Sequence, residues 1–369
     1  MRWRNLIPFM VPLAALAFQT TSAQSGKPKK HRGAEAEQQG AGGGTLSLVP
    51  DSAPIFSAES PLRLTITADF RRLRRDRGDD PPWRGGTVAY TGDSGATVRV
   101  PVRLRTRGIW RLHNCDFPPL RLDFPKEERR HTVFAKLDRP KLVTHCHDSD
   151  RYERLLLQEF QLYRVYRALT PFSHRVRLAR VTYVDSGNGK PVATRYAILE
   201  EAPEAVARRV GGMLLRQKGG GPSDFDPLQQ TVFALFQYLI GNTDWSISAL
   251  HNVEVVARDT AVVPVAYDFD FSGVIDAPYA VPDPQLHISS VRQRVYRGYC
   301  VPPTAYPTAF ALFTERKPAI YALYQDSLGT LLDRGDVRHT LEYFDDFYRT
   351  ITNAGRARGD IVAACLGTW

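Results

Sequence analysis

Acidic and amide side chains crowd residues 241–273, and this segment constrains the fold more than any other stretch of the chain. In order it holds an Asp in a polar turn, an Asn eight residues later, an apolar run, and two Asp residues after that run: Asp244, Asn252, residues 261–267, Asp268 and Asp270. Valine and alanine in the run predict a half-buried strand, and Pro264 within it favours an edge strand or a bulge. Carboxylates just past the end of such a strand are placed to hold a divalent cation against an anionic substrate.

Phosphoryl transfer is the chemistry that this arrangement suits best. A carboxylate in the upstream loop, Asp244, can orient a hydroxyl or take its proton, while the carboxylates at the strand end hold Mg²⁺. The groups that hold a nucleotide must then come from elsewhere in the chain.

The N-terminus has the pattern of a secretory signal peptide. Basic residues precede an apolar run at residues 6–18, and small residues precede a cleavage point after Ala23. The run has about 13 residues and two prolines, short of the roughly 20 that a membrane-spanning helix requires, so an anchor is the weaker alternative. No later segment is long and apolar enough to span. We therefore predict a secreted or periplasmic protein with no transmembrane segment after cleavage.

Composition divides the 369 residues into four predicted parts. Residues 1–23 are the signal peptide, and residues 24–58 hold so few large apolar side chains that they predict a disordered low-complexity tether. Residues 59–216 are predicted to form a β-rich N-terminal lobe with one long helix. After a glycine-rich break, residues 217–369 are predicted to form a helical C-terminal lobe that carries the catalytic loop and the metal-binding strand end.

Periodicity supports an α+β protein. Apolar and polar residues alternate over residues 62–70, 98–104 and 120–124, which predicts half-buried strands in an antiparallel sheet. Residues 150–169 repeat apolar side chains at spacings of three and four, and residues 227–240 do the same, which predicts two helices.

The four cysteines all lie in the predicted mature part, where export permits disulfides. We favour pairing Cys115 with Cys146 and Cys300 with Cys365, because each pair closes a loop within one half of the chain. Free buried thiols are the alternative. No two of the four form a Cys-x-x-Cys pair, which argues against a zinc site.

The chain is basic, with a net charge of +10 and a pI near 9.5. Its arginines are spread along the chain apart from one dense run at residues 71–77, and no nucleic-acid-binding motif accompanies them. We therefore predict no nucleic-acid partner and a solvated basic face. Attraction of an anionic nucleotide or an acidic substrate is the alternative.

Three charged residues in the first half are candidates for nucleotide binding. Lys141 starts a short predicted strand, Glu159 borders the apolar stripe of the predicted helix, and Glu200 closes a strand-like run. A helix Glu beside such a stripe is usually a solvated flank residue. The functional alternative is that Glu159 faces Lys141 across a cleft, because a strand Lys paired with a helix Glu is a device that positions phosphates.

The order of these parts resembles the protein-kinase superfamily, in particular the CotH spore-coat kinase family and, more distantly, HipA-type kinases. The motifs that carry the resemblance are Arg105-Thr-Arg-Gly108, Lys141-Leu-Val with the helix bearing Glu159, Gly241-Asn-Thr-Asp244 with His251-Asn252, and Tyr267-Asp-Phe-Asp270. It covers roughly residues 100–275, about half the chain, and its specificity lies in the order and spacing of short motifs. The resemblance implies a two-lobed kinase-like fold.

The resemblance also implies an activity. The protein would be an exported atypical kinase that uses ATP or another nucleoside triphosphate with Mg²⁺ or Mn²⁺ to phosphorylate a hydroxyl of a protein or small-molecule acceptor. The residues so implied are Asp244 for catalysis, Lys141, Glu159 and Glu200 for the nucleotide, and Asn252, Asp268 and Asp270 for the metal. Asp268 is favoured over Asp270, because it directly follows the apolar strand.

The sequence departs from the kinase pattern at two points. Ala249 stands five residues after Asp244, where typical kinases keep an Asn, so Asn252 fits only if the loop is longer. No Gly-x-Gly-x-x-Gly phosphate loop occurs in the first half.

Two other functions use the same residues. Asp268-Phe-Asp270 matches the Asp-x-Asp pattern by which glycosyltransferases hold a metal on a sugar nucleotide. A secreted binding module that has lost its chemistry is the non-enzymatic alternative.

Three histidines are candidate metal ligands. His145 and His147 lie at a spacing of two, on one face of a predicted strand, but no third ligand is obvious near them, so they predict structural roles, as does His251. Trp245, next to Asp244, is predicted to anchor the loop by packing.

Overall fold

The computed structural model describes residues 53–368, so the predicted signal peptide and residues 24–52 of the predicted tether lie outside the described part. The packed part begins earlier than the predicted start at residue 59. A 3-10 turn at Pro54–Phe56 precedes the first strand, and both Ala53 and Ile55 are buried in the same core as that strand.

Seven strands close into a barrel. They are β1 (Leu62–Ala68), β2 (Arg84–Thr91), β3 (Thr97–Thr106), β4 (Leu120–Asp123), β5 (Lys141–Val143), β6 (Val176–Asp185) and β7 (Pro191–Glu200). Their order around the barrel is β1-β2-β3-β4-β5-β7-β6. The pairing of β1 with β6 is parallel and the other pairings are antiparallel, so the barrel is mixed.

The barrel interior is filled by the apolar residues of the alternating runs. Leu64, Ile66 and Ala68 of β1 are buried, as are Val88 of β2 and Leu104 of β3. Because side chains alternate between the two faces of a strand, the intervening polar residues point outward. The strand predictions over these runs are confirmed.

A second sheet has three strands in the order β10-β9-β8. These are β8 (Met213–Leu215), β9 (Val253–Arg258) and β10 (Ala261–Ala266). Pro264 lies in β10, at the edge of this sheet, as predicted from its missing donor.

Helices pack beside the barrel and under the small sheet. They are α1 (Phe70–Leu73), α2 (Trp110–Asn114), α3 (Lys126–Arg129), α4 (Asp150–Leu169), α5 (Pro203–Arg209), α6 (Pro227–Ile240), α7 (Ala305–Ala322), α8 (Arg334–Thr352) and α9 (Ala354–Ala357). The predicted bounds of α4 and α6 are confirmed. Side chains of α4, α6, α7 and α8 form one large core with residues that flank β10.

The predicted two-lobed kinase-like fold is wrong. The described residues form a closed seven-stranded mixed barrel, a second small sheet and the packed helices, rather than a β-rich lobe followed by a helical lobe. Leu62 pairs with Ala179, far along the chain, and that parallel pairing closes the barrel. In addition β8, which precedes the glycine-rich break, pairs with β9, which follows it. Alternation identifies strands, but it does not reveal which strands pair.

Both predicted disulfides are confirmed. Cys115 bonds Cys146 and Cys300 bonds Cys365, and no described cysteine is free. These bonds are consistent with the predicted export to an oxidising compartment. Within residues 53–368, no helix combines the length and the apolar character needed to cross a bilayer.

Candidate functional site

One cavity gathers most of the predicted site residues. It has a volume of about 430 Å³ and lies between the segment after β3, the loop after α6 and the residues after β10. Its charged and amide lining residues include Arg107, Arg111, Asp244, Asn252, Asp268 and Asp270, and His251 also lines it. The catalytic candidate and all three metal candidates therefore face the same space.

The turn that carries Asp244 is built by the end of α6. Gly241 terminates the helix in the left-handed region, with φ 64°. The Asn242 side chain then accepts a hydrogen bond from the Asp244 backbone N–H at 3.0 Å, and its carbonyl accepts one from the Trp245 indole at 3.0 Å. Trp245 is buried against Phe233, so its predicted packing role is confirmed.

Both oxygens of the Asp244 carboxylate are held. The Asn252 amide donates to Oδ2 at 3.0 Å, and His251 Nε2 lies 2.8 Å from Oδ1. The hydrogen bond to Asp244 raises the pKa of His251 above its ordinary value. Asn252 reaches Asp244 because the intervening residues form a short loop, closed by paired backbone bonds between Ser246 and His251. This loop accommodates the spacing of eight residues between Asp244 and Asn252, which is longer than the five of typical kinases.

Asp268 is fixed through its backbone. It adopts φ 63° directly after β10, and its N–H donates to the Tyr163 hydroxyl at 3.0 Å. That hydroxyl lies 3.4 Å from Glu200 Oε2. Tyr163 comes from α4 and was not singled out from the sequence, because it reads as one more apolar position of the helix.

Lys141 pairs with Glu200 and not with Glu159. Lys141 and Glu200 are cross-strand neighbours on β5 and β7, and Lys141 Nζ lies 2.7 Å from Glu200 Oε1. Burial opposes ionisation of Glu200, but attraction to Lys141 outweighs it and keeps the pKa of the carboxyl below its ordinary value. The amine also sits 4.0 Å from the centre of the Tyr267 ring, which lines the cavity. The predicted pairing of Lys141 with Glu159 is therefore wrong.

Glu159 pairs instead with Arg111, a residue that the sequence analysis missed. Arg111 lies in α2, and its guanidinium bridges Glu159 at 3.3 Å and Asp270 at 3.1 Å. Burial raises the pKa of Glu159 to about 8 and that of Asp270 to about 6, against the attraction of Arg111. The only signal for Arg111 in the sequence was its place just after the Arg105-Thr-Arg-Gly108 motif.

Arg111 separates the roles of the two strand-end carboxylates. Both carboxylates line the cavity, but Asp270 is buried and engaged by Arg111, whereas Asp268 is half-buried and makes no ion pair within residues 53–368. This arrangement favours Asp268 as the carboxylate available to a cation, because Asp270 is already engaged by Arg111.

The donor set suits a cation that is only partly held by protein. No cluster of three or more His, Cys, Asp or Glu side chains among residues 53–368 could enclose a metal. Asp268 and Asn252 offer one carboxylate and one amide to the cavity. Mg²⁺ commonly takes one or two carboxylates from the protein and completes its shell with substrate phosphates and water, so these residues fit it.

The two neighbouring histidines do not form a metal site. His145 is buried, burial lowers its pKa to about 4, and neither of its ring nitrogens has a hydrogen-bond partner. His147 Nδ1 lies 2.8 Å from Asp116 Oδ2. Both make structural contacts, with Phe117 and Tyr152 respectively.

Comparison with known proteins adds no assignment: no family model matches this chain, and no curated protein matches it either.

Proposed function

We propose that the protein transfers the γ-phosphoryl group of a nucleoside triphosphate to a hydroxyl of a protein or small-molecule acceptor. The observation that supports this most is that Asp244, its oxygens held by His251 and Asn252, lines the same cavity as Asp268. The resemblance of the motifs to those of CotH-type kinases points the same way.

Asp244 is the base in this proposal. The acceptor hydroxyl donates its hydrogen bond to the carboxylate, whose oxygens keep free lone pairs beside the bonds from His251 and Asn252. As the acceptor oxygen bonds the γ-phosphorus, the bond from that phosphorus to the β-bridging oxygen breaks, and the hydroxyl proton passes to Asp244. The nucleoside diphosphate leaves with the bridging oxygen.

Asp268 and Asn252 would hold Mg²⁺ or Mn²⁺. When bound, such an ion neutralises charge on the phosphate oxygens. The residues of the chain prepare the site for it: the left-handed backbone at Asp268 and the bond from its N–H to Tyr163 hold this residue at the end of β10.

Lys141 acts mainly through its neighbours in this arrangement. Its ion pair orients Glu200, Glu200 orients the Tyr163 hydroxyl, and that hydroxyl accepts from the Asp268 N–H. Lys141 is thus a positioning residue for the end of β10, with its charge close to the cavity wall at Tyr267.

The site of action is proposed to be secreted or periplasmic, because the chain begins with a signal-peptide pattern and holds two disulfides.

The test is a labelling assay with the mature protein, γ-labelled ATP and Mn²⁺, with the protein itself and candidate acceptors as targets. We expect labelling by the wild type and a rate lower by about 10²- to 10⁴-fold for Asp244→Asn, because a general base contributes about that much. Asp259→Asn, a change at an exposed turn residue between β9 and β10, is the matched control and should label as the wild type does. No labelling by the wild type, or equal labelling by Asp244→Asn, would contradict the proposal. Binding of nucleotide without labelling would instead indicate a binding module.

A further inference from the structure

Three basic side chains stand side by side on the outside of the barrel. Arg105 of β3 pairs in register with Arg121 of β4, Arg121 pairs with Lys141 of β5, and Lys141 pairs with Glu200 of β7. Directly opposed residues of neighbouring strands point to the same face. We call Arg105, Arg121 and Lys141 the basic row.

Like charges directly opposite one another destabilise a sheet, so the residues of such a row need acidic partners. The residues at the two ends, Lys141 and Arg105, have such partners. Lys141 pairs with Glu200 at 2.7 Å, and Arg105 pairs with Asp80 at 3.0 Å and stacks on the Trp83 ring.

Arg121, in the middle of the row, has no such direct partner. Arg121 is half-buried, and its guanidinium has no hydrogen bond or ion pair with any residue of the described range 53–368. Burial and the nearby charges of Arg107 and Arg105 lower its pKa, against the attraction of Glu204 and Glu200. Its guanidinium donors are therefore available to a bound anion.

Arg107 carries this positive charge into the cavity. It follows Arg105 by two residues. Its backbone N–H donates to the Pro119 carbonyl at 2.9 Å, and this bond fixes the position of the Arg107 backbone. Its side chain lines the cavity together with Asp244 and Asp268. Its guanidinium, like that of Arg121, makes no ion pair or hydrogen bond within the part of the chain that the structure describes.

We propose that Arg107 and Arg121 bind the phosphate chain of the nucleoside triphosphate, in place of the glycine-rich loop that this sequence lacks. The inference rests on the proposed function. A guanidinium suits this task, because its planar fork of donors matches two phosphate oxygens at once. Neighbouring strands lie about 4.8 Å apart, so the basic row extends the positive charge away from the cavity across more than one strand. A positive region of that length fits a chain of linked phosphates better than a single phosphate.

The test measures binding without turnover. Inorganic tripolyphosphate is titrated into metal-free mature protein in the presence of a chelator, and affinity is read by calorimetry. We expect each of Arg107→Gln and Arg121→Gln to weaken binding by about tenfold, because a hydrogen-bonded charge contact is worth about that much. Arg121→Lys keeps the charge but loses the fork, so it should recover only part of the affinity.

Arg99→Gln is the matched control. Arg99 is an exposed arginine of β3 on the same outer face as Arg105, and its register partner is Ala89 rather than a cation. This variant should bind tripolyphosphate as the wild type does. Equal weakening by Arg99→Gln would mean that only net charge matters and would overturn the inference.

The ligand series separates the sources of the anion. We expect affinity to rise from AMP through ADP to ATP and tripolyphosphate. No binding of tripolyphosphate by the wild type, equal affinity for AMP and ATP, or a preference for an acidic peptide over ATP would each overturn the inference.

The two proposals can fail separately. Tripolyphosphate binding that depends on Arg107 and Arg121, in a protein that labels no acceptor, upholds this inference and contradicts the proposed function. Labelling by the wild type, with tripolyphosphate affinity unchanged in Arg107→Gln and Arg121→Gln, contradicts this inference alone.

Discussion

At the scale of single residues, the site is a set of carboxylates in different electrostatic states. Asp244 is held by two donors, Asp268 lines the cavity, and Asp270 is neutralised by Arg111. Glu159 is fully buried beside the same guanidinium. Asp270 and Glu159 therefore share one guanidinium, whereas Asp244 has its own two donors and Asp268 is held through its backbone N–H.

Glu159 predicts an unusual dependence of stability on pH. Burial raises its pKa from 4.5 to about 8 in the folded protein. Between those pH values the unfolded chain has released a proton that the folded protein keeps, so the free energy of unfolding falls as pH rises. We expect Glu159→Gln, which cannot titrate, to show a smaller fall between pH 5 and pH 8 in urea unfolding.

A core substitution provides the control for this measurement. Phe160→Leu, next to Glu159 in α4, should lower stability at every pH while keeping the wild-type slope. The same slope in the wild type and in Glu159→Gln would show that Glu159 does not hold its proton as described.

Residue patterns predicted part of this site. Asp244 and Asp268 stood out because one lies in a polar turn and the other directly follows an apolar run, and the resemblance to kinases added Asn252 as a metal ligand. The partner of Lys141 was not predictable in the same way. Glu200 and Glu159 both lie in apolar runs, and only the strand register decides that Glu200 is adjacent.

At the scale of elements, two connections position the cavity walls. The end of α6 sets the turn of Asp244, and the bond between Cys115 and Cys146 ties the end of α2 to the chain after β5. Helix bounds were predictable because an apolar stripe marks them, and the structure adds a cap at the start of α4, where Ser149 accepts from the Tyr152 N–H. Closure of the barrel was not predictable from the sequence, because it depends on a parallel pairing between β1 and β6, which are far apart in the chain.

Gly241 should tolerate no side chain. Its φ is 64°, and a Cβ there would lie 2.0 Å from the Tyr343 hydroxyl. We expect Gly241→Ala to cost about 1–3 kcal/mol through backbone strain, with the clash added to it. It should also slow acceptor labelling, because the turn that carries Asp244 must shift.

Gly95 is the matched control, since it has φ 80° but open space around its Cβ position. Thermal unfolding of Gly95→Ala should show the smaller loss and labelling should be unaffected. Equal loss of stability at both positions would contradict the role of the Tyr343 contact.

Both disulfides should stabilise the fold, but only one of them should affect nucleotide binding. They close loops of 31 and 65 residues, so removal of either should cost about 3–4 kcal/mol of stability. Of the two, the bond between Cys115 and Cys146 is the one at the end of α2, which carries Arg111. We expect the double Ala variant of that pair to lose nucleotide-dependent thermal stabilisation as well.

The double Ala variant of Cys300 and Cys365 is the comparison, because that bond joins segments outside the cavity lining. It should unfold at lower urea concentration but keep its response to nucleotide. Loss of the nucleotide response in both variants to the same degree would contradict a specific role for α2.

At the scale of the whole molecule, the cavity joins the barrel to the second part of the fold. Arg107 and Arg111 follow β3 of the barrel, whereas Asp244 and Asn252 lie in the loop between α6 and β9 and Asp268 follows β10. Cation-binding and anion-binding side chains therefore face each other across one space. Such a space suits a metal-bound polyphosphate, which carries both kinds of charge.

The most direct test of this account is a calorimetric titration of the mature protein with ATP, with and without Mn²⁺. The account predicts that Mn²⁺ strengthens ATP binding to the wild type and no longer does so in Asp268→Asn, while metal-free binding is unchanged in that variant. ATP binding that ignores Mn²⁺ in the wild type, or that responds to it equally in Asp268→Asn, would contradict the account.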